Sequence, residues 1–232
     1  MYAKFFKRLF DFLIALSAIL FLFAVPVFPI LMIVGAIAMR GNPFFVQKRP
    51  GKKRKNGEER IFNLIKVRTM SNKKDKDGNL LPDDVRLNKY GKLLRSTSLD
   101  ELPELFNILV GHMSIVGPRP QLVRDMTFMS EEQRRRHDVR PGLTGLAQVN
   151  GRNNITWEQK FEYDLAYIEK ITLFGDIKLI FQTVGKVLKR SDTVREGTVS
   201  DIDFGDWLIA EGKVDQETYD EKQKEAKELL NV

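Results

Sequence analysis

The uncharged stretch FLIALSAILFLFAVPVFPILMIVGAIAM, residues 12–39, decides how this chain is organised. A run of this length and hydropathy predicts a membrane segment. A cleaved signal peptide is disfavoured, because the run is too long and lacks a small-x-small cleavage site before its charged end. The sequence therefore predicts that the rest of the chain is held close to a membrane.

Both flanks of this segment are basic, at residues 4–8 and 40–55. Short basic flanks prefer the cytoplasmic side, so a simple span would place one flank on the wrong side. Pro26 and Pro29 divide the run into limbs of about 13–14 residues, roughly 20 Å each, which is shorter than a ~30 Å hydrocarbon core. The pattern predicts a broken helix that enters one leaflet and returns, and a kinked single span stays open as the alternative.

The bulk composition limits the classes of function. The chain of 232 residues has no cysteine, which excludes disulfide and thiolate chemistry. Its net charge of +7 favours anionic partners such as phosphorylated substrates, anionic lipid or nucleic acid. Nucleic-acid binding is disfavoured, because the basic clusters lack interleaved aromatic residues. His112 and His137, the only histidines, form no metal or triad pattern and are predicted to be structural.

Two adjacent carboxylates, Asp100 and Glu101, lie within STSLDELPEL (96–105), just before an apolar run that predicts a helix. Ser98 could cap this helix, with Glu101 completing a capping box. We prefer Asp100 as the N-cap, because Pro103 then falls in the first turn. In either register the helix terminus is expected to keep Asp100 ionised and to favour a nearby phosphate. A helix cap without catalytic function is the alternative.

The other elements follow from periodicity and turn residues. Alternation predicts a strand over residues 61–70, which would place Lys66 and Arg68 on one side. Glycine and basic residues predict an exposed turn over 49–60, and a stiff polar loop is predicted over 140–153. Asp176 is predicted to cap an amphipathic basic helix. The predicted helices span residues 88–95, 130–136, 155–170, 173–189 and 214–230.

Together these motifs resemble the bacterial monotopic phosphoglycosyl transferases, also called polyprenol-phosphate sugar-phosphate transferases, in their small catalytic-core form. The resemblance covers residues 4–190, and the family's re-entrant N-terminal helix agrees with the topology inferred from charge and length. The motifs that carry it are KVRTM (66–70), RSTSLDELPE (95–104), VGPRP (116–120), RPGLTGLAQVNGRN (140–153) and FGDIK (174–178).

The resemblance implies a covalent mechanism. Asp100 matches the nucleophile that attacks the β-phosphate of a UDP-sugar, releases UMP and forms an aspartyl phospho-sugar. Polyprenol (undecaprenyl) phosphate then attacks this intermediate, and Glu101 matches a second carboxylate that assists the acceptor step or the charge balance. The family also implies Mg²⁺, with Asp100 as its protein contact. The residues that match the family's substrate site and phosphate site are Lys66, Arg95, Arg119 and Asp176.

These arguments predict an α protein with minor β-structure, built in three parts. Residues 1–40 form a re-entrant membrane helix-hairpin, 41–190 a small, mostly helical cytoplasmic domain with amphipathic interfacial helices, and 191–232 an accessory tail. The resemblance implies the bacterial inner membrane, with the catalytic domain on its cytoplasmic face. The expected partners are a UDP-sugar, polyprenol phosphate and membrane lipid, without nucleic acid, and a homo-oligomer stays open. A catalytically silent scaffold of this fold is the competing class of function, and the intact Asp100–Glu101 pair disfavours it.

Overall fold

A computed structural model describes residues 1–151, 155–189 and 202–231. The described chain is mostly helical with two small sheets, which confirms the predicted α class with minor β-structure. Its strands are β1 Phe44–Lys53, β2 Glu59–Val67, β3 Ser114–Val116 and β4 Gly142–Thr144. Its α-helices are α1 Lys7–Ala24, α2 Val27–Met39, α3 Asp83–Arg86, α4 Lys89–Thr97, α5 Glu104–Leu109, α6 Val123–Met126, α7 Glu131–Arg134, α8 Leu146–Asn150, α9 Trp157–Glu169, α10 Leu173–Lys189, α11 Phe204–Ala210 and α12 Gln216–Leu230.

The N-terminal apolar segment is a bent helix pair. Its two halves, residues Tyr2–Ala24 and Val27–Met39, meet at 69°. The break lies at Pro26, which occupies the N-cap position of α2 and has no N–H to continue α1. Within the described ranges, no single helix is both long and apolar enough to cross a bilayer, whereas the bent pair together meets that requirement. The predicted break is confirmed, and the placement in one leaflet stays a prediction.

The exposure of this helix pair agrees with the predicted membrane segment, because most of its large apolar side chains are exposed. Exposed side chains on the two helices include Leu20, Phe21, Phe23, Ile30, Ile33 and Ile37. The opposite face of α1 is fixed to the domain by polar contacts. Arg8 donates hydrogen bonds of 2.7 Å to the carbonyls of Ile108 and Leu109, and buried Asp11 accepts one of 2.9 Å from the Ile115 amide. These contacts orient the helix pair relative to the rest of the protein.

An antiparallel hairpin of β1 and β2 follows the helix pair, with Phe44 opposite Val67 and Pro50 opposite Ile61. The predicted strand over 61–70 is confirmed for most of its length. The predicted turn over 49–60 is wrong at its start, because β1 continues to Lys53. Gly51 permits this pairing, since a Cβ there would come within 3.0 Å of a backbone carbonyl on β2.

A second, parallel pair joins β3 to β4, with Val116 opposite Thr144. The polar loop predicted over residues 140–153 is therefore wrong across β4 and α8. Gly142 allows the two strands to approach, because a Cβ there would lie 2.1 Å from the Gly117 nitrogen. Arg152 and Asn153, the end of that predicted loop, lie outside the described residues. The carboxyl ends of both strands meet at one edge, and the chain that follows each strand enters the candidate site.

The main hydrophobic core contains residues of α1, β2, α5, β3 and α10. The predicted helices over 155–170, 173–189 and 214–230 are confirmed as α9, α10 and α12. Helix α10 has a row of exposed apolar side chains, which agrees with the predicted amphipathic helix. The exposed members of this row are Phe174, Ile177, Phe181, Val184 and Leu188. The buried core residues are Ala15, Phe62, Leu64, Leu105, Ile108, Met113, Ile115, Val116, Val149, Tyr167 and Leu179.

Candidate active site

The loop that carries Asp100 and Glu101 differs from the predicted helix cap. Helix α4 ends at Ser98, which adopts a left-handed conformation with φ of 55°. A short 3₁₀ turn, Leu99–Glu101, follows, and α5 begins only at Glu104, with Pro103 in the N-cap position. Asp100 is therefore not an N-cap, because the left-handed residue and the 3₁₀ turn take up the segment expected to start the helix. A non-glycine residue in this conformation is uncommon and is often found at functional sites.

Glu101 is bound by two cations from distant parts of the chain. Lys66, near the end of β2, places its Nζ 2.9 Å from Glu101 Oε1. Arg119, in the stiff Pro-Arg-Pro loop after β3, places Nη2 2.6 Å from the same oxygen. Lys66 also lies 3.1 Å from Glu104 Oε1. These ion pairs bring together three sequence motifs that are separated by up to about fifty residues.

The carboxylates of this cluster differ in their pKa values. Burial would raise the pKa of Glu101, but Arg119 and Lys66 outweigh it and hold that pKa well below the usual range. For Glu104 burial prevails over Lys66, and the pKa rises to about 7. Burial alone would lower the pKa of Lys66, yet Glu101 and Glu104 together raise it. Glu101, Lys66 and Arg119 thus remain charged at neutral pH.

Asp100 is the carboxylate of this cluster that no described group engages. No hydrogen bond or ion pair reaches its side chain from the described residues, although Lys66, Arg119 and Arg95 all attract its negative charge. Burial and the neighbouring Glu101 nevertheless raise the pKa of Asp100 to about 6. The carboxylate is therefore charged at neutral pH. Its negative charge is less strongly stabilised than it would be at the predicted helix cap.

Arg95 completes the group of cations. It lies on the last turn of α4, and its Nε donates a 3.1 Å hydrogen bond to Thr69 Oγ1. Burial lowers the pKa of Arg95, and the Asp100 charge partly offsets that effect. Because an arginine side chain is strongly basic, this lowering leaves Arg95 cationic at neutral pH. Its position beside Asp100 suits it to contact an anionic ligand at that carboxylate.

A large open cavity of about 2020 Å³ contains this cluster. The structure brings together the predicted site residues Lys66, Arg95, Asp100, Glu101 and Arg119 on its lining. A cavity of this size accommodates a nucleotide-sugar, because drug-sized ligands occupy about 300–1,000 Å³.

The structure places Asp176 away from this cavity. It is buried at the fourth residue of α10, so its predicted role as a helix cap is wrong. Its Oδ2 accepts hydrogen bonds from Tyr2 at 2.7 Å and from Lys7 at 2.6 Å, and its Oδ1 accepts one from Tyr167 at 2.9 Å. Asp176 therefore joins the N-terminal helix to α9 and α10, and it does not line the cavity with Lys66, Arg95 and Arg119.

Three residues that sequence reasoning missed support the site. Arg136, buried, donates to the Arg119 carbonyl at 2.6 Å and pairs with Asp164, which fixes the backbone of the Pro-Arg-Pro loop. Buried Gln148 lines the cavity, and neither atom of its amide finds a partner among the described residues. Gln148 lies in a glycine-rich motif whose polar residues were noted. Arg136 lies in a charged run that gave no signal of burial.

The residues present fit a magnesium ion that is bound mainly by substrate phosphates and water, with few protein ligands. Within the described ranges, no group of three or more carboxylate or imidazole side chains could hold a metal. Mg²⁺ is commonly bound through one or two carboxylates plus substrate phosphates and water. Asp100, open to the cavity, offers one such carboxylate, whereas Glu101 already binds two cations. The protein would thus supply Asp100 and the ligand the remaining oxygens.

Comparisons with known proteins identify the family of this chain. Residues 2–190 match the model of a family described as bacterial sugar transferase. The chain is 48% identical over 184 residues to the uncharacterized sugar transferase EpsL of Bacillus subtilis, covering 78% of this chain and 87% of that protein. It is 40% identical over 192 residues to a UDP-glucose:undecaprenyl-phosphate glucose-1-phosphate transferase of Klebsiella pneumoniae, covering 78% of this chain but only 40% of that protein. It is 32% identical over 202 residues to the UDP-galactose-lipid carrier transferase of Erwinia amylovora, covering 81% and 41% of the two chains.

Proposed function

Because the chain belongs to the bacterial sugar transferase family, we propose that it transfers a sugar 1-phosphate from a UDP-sugar to undecaprenyl phosphate and releases UMP. The names of the relatives from Klebsiella pneumoniae and Erwinia amylovora support a UDP-hexose donor and a lipid carrier. The observation that carries the proposal is Asp100, an unengaged carboxylate beside three cations in a cavity large enough for the donor.

In the first step, an oxygen of Asp100 attacks the β-phosphorus of the UDP-sugar. The new Asp100–phosphorus bond replaces the bond from that phosphorus to the bridging oxygen, and UMP leaves with the bridging oxygen. Covalent catalysis of this kind divides one difficult transfer into two easier steps. Lys66, Arg95 and Arg119 stabilise the negative charge on the phosphoryl oxygens. Electrostatic stabilisation of this kind is usually the largest single contribution to lowering the activation barrier.

In the second step, a phosphate oxygen of undecaprenyl phosphate attacks the same phosphorus. The Asp100–phosphorus bond breaks, the carboxylate is regenerated, and the product is a polyprenyl diphosphate sugar. Glu101 contributes to the charge balance, because its ion pairs with Lys66 and Arg119 keep both cations aimed at one point. Asp100 and the phosphate oxygens of the donor would hold Mg²⁺, which would supply neutralisation of part of the phosphoryl charge.

The acceptor is proposed to arrive through the membrane. The bent pair of α1 and α2 is proposed to enter one leaflet of the bacterial inner membrane and return, with the domain on the cytoplasmic face. The exposed apolar row on α10 is proposed to rest in the interfacial region, as amphipathic helices with basic residues do. Both contacts would hold the cavity at the depth of the lipid phosphate.

Single-turnover kinetics test this proposal. The protein in detergent, with Mg²⁺ and UDP-glucose or UDP-galactose but without lipid acceptor, is expected to release UMP in a burst of no more than one molecule per enzyme. Addition of undecaprenyl phosphate then starts continuous release. A direct transfer without a covalent intermediate would release no UMP until the acceptor is added, and that result would contradict the mechanism. Absence of UMP release across a panel of UDP-sugars with acceptor present would contradict the function.

A further inference from the structure

The C-terminal segment, residues 202–231, is packed against the domain through an aromatic cluster. Phe204, the first residue of α11, is 3% exposed. Its ring lies 5.0 Å from that of Phe161 and 5.2 Å from that of Trp157, both on α9. Aromatic contacts at these distances add to the free energy gained by burial. The segment is thus anchored, although the sequence predicted only an accessory tail.

Polar contacts fix the same segment at Phe204 and at the two residues before it. The buried carboxylate of Asp125 accepts hydrogen bonds from the amides of Phe204 at 2.8 Å and Leu122 at 3.1 Å. Asp203 forms an ion pair with Arg124. The indole of Trp157 donates a 3.2 Å hydrogen bond to the carbonyl of Ile202. Because buried polar groups need hydrogen-bond partners, the buried carboxylate that binds the backbone of the segment fixes its position.

This packing brings the segment to the cavity that contains Asp100. Ile202, Asp203 and Asp206 line that cavity, although they follow the part of the chain shared with the family. Beside them lie Trp157, Lys160 and Asp164, which lie three to four residues apart on one face of α9 and also line the cavity. The segment therefore continues the wall that α9 begins.

Charge differs along the cavity. Around Asp100, the cations Lys66, Arg95 and Arg119 favour phosphate oxygens. Around the C-terminal segment the lining is mixed: Asp203 pairs with Arg124, Asp206 accepts a hydrogen bond from Tyr219, and Lys160 lies on the same lining. The remaining oxygens of the two carboxylates can accept hydrogen bonds from hydroxyl groups. Buried Gln148, whose amide has no partner among the described residues, adds donors and acceptors to the same lining. The difference between the cations around Asp100 and this mixed set of donors and acceptors would orient a diphosphate ligand that carries a hydroxyl-bearing ring.

We propose that the C-terminal segment is part of the donor-binding cavity and contacts a hydroxyl-bearing ring of the UDP-sugar, so that donor binding and docking of the segment stabilise each other. The inference rests on the proposed function, since it names the same donor. Reciprocity follows from linkage: if the docked segment raises donor affinity by some factor, then the donor must favour docking by the same factor.

Hydrogen exchange on the unmodified full chain tests the inference directly. With Mg²⁺ and saturating UDP-glucose or UDP-galactose, the amides of residues 202–206 are expected to exchange more slowly, the Phe204 amide among them. UDP is used as a second probe in parallel. Protection by UDP alone assigns the contact to the ribose, and protection only by the UDP-sugars assigns it to the sugar; either result supports the inference. Unchanged exchange with all three ligands would overturn it.

A matched pair of variants provides a kinetic test. Phe204→Ala removes the anchor and is expected to raise the KM for the UDP-sugar about tenfold, within the range typical of coupled sites, while the rate of the bound first step stays close to normal. Glu217→Ala, at an exposed position of α12, is the control and is expected to leave KM unchanged.

The outcomes separate this inference from the function on which it rests. If the unmodified chain releases UMP while Phe204→Ala keeps its KM within twofold, the segment plays no part in donor binding and the inference is wrong. If the unmodified chain releases no UMP from any UDP-sugar, the proposed function itself is wrong. Should Phe204→Ala fail to fold, the exchange experiment on the unmodified chain decides alone.

Discussion

Asp100 and Asp176 are both buried or half-buried aspartates with a cation nearby, yet the structure gives them opposite surroundings. Asp176 accepts hydrogen bonds from Tyr2, Lys7 and Tyr167. Asp100 accepts none from any described side chain and opens into the large cavity. A carboxylate whose oxygens are all bound holds structure together, whereas one that is charged, surrounded by cations and unbound is available for chemistry.

The two aspartates also differ in what they connect. Asp176 connects the start of the N-terminal helix to the two long helices α9 and α10, so it sets how the bent N-terminal helix pair meets the domain. Asp100 lies on a 3₁₀ turn whose backbone is fixed by α4 on one side and α5 on the other. In the proposed mechanism both residues therefore contribute to catalysis: Asp100 by chemistry, and the Asp176 network by placing the site at the membrane.

The largest expected effect separates the two residues by activity. Asp100→Asn should lower UMP release by about 10⁴-fold, because removal of a nucleophile in other covalent enzymes costs that much or more. Its melting temperature should be unchanged or higher, since the amide removes a buried charge and breaks no hydrogen bond from a described residue. The measurement is UMP release with UDP-glucose and UDP-galactose, together with thermal unfolding of the same sample. A variant that retains half of its turnover would contradict the assignment.

A smaller loss of activity is expected from the cations that surround Asp100. Arg119→Gln should reduce the first step by about 10²-fold, in the range observed when one charge-stabilising donor is lost. Arg119→Lys keeps the charge but loses the planar fork, so it should recover only part of that rate. Burst kinetics without acceptor measure the step. Equal rates for the lysine variant and the unmodified protein would show that geometry at this position is unimportant.

Asp176→Asn should lower stability and largely spare activity, the opposite of what is expected for Asp100→Asn. It leaves Lys7 beside a neutral amide in a largely buried site, and loss of one partner of a buried ion pair costs about 3 kcal/mol. A clear drop in melting temperature is expected in detergent or nanodiscs, while folded protein keeps UMP release without acceptor within about threefold, as expected of a position outside the reacting atoms. A loss of activity as severe as that of Asp100→Asn, with normal stability, would return Asp176 to the substrate site.

The smallest expected effect is a shift in pH dependence. Burial and Glu101 raise the pKa of Asp100 to about 6, and the protonated acid is a poor nucleophile. The burst rate should therefore rise with pH through about 6, whereas an aspartate with its usual pKa of about 3.9 would stay active well below that. Glu101→Gln removes a negative neighbour, so the acidic limb should move to lower pH. A limb that moves upward, or stays in place, would contradict this electrostatic account.

Much of the fold was predictable from local patterns. Pro26 marks the helix break because it has no N–H, and apolar periodicity marks α9 and α10 without reference to the rest of the chain. Strands β3 and β4 are only three residues each, so no alternation could reveal them. Their pairing depends on glycines at 117 and 142 that let two backbones meet.

The site was predictable where a motif carried it. Resemblance to the family selected Asp100, Glu101, Lys66 and Arg119, and the structure places them together. The helix cap was predicted wrongly, because the left-handed conformation of Ser98 has no signature in a serine-rich segment. The resemblance also assigned Asp176 to the substrate site, and its contacts with Tyr2 and Lys7 were not predicted because these residues are far away in sequence. The same limit hid the docking of the C-terminal segment, which depends on Asp125 and α9.

In the proposed mechanism, Asp100 becomes covalently attached to the phospho-sugar. The most direct measurement is rapid acid quenching of the enzyme with UDP-glucose or UDP-galactose in the absence of lipid acceptor, followed by digestion and mass spectrometry. We expect a hexose-phosphate adduct on the peptide that contains Asp100, and its disappearance when undecaprenyl phosphate is added before the quench. An adduct on another residue, or UMP release without any adduct, would contradict the account.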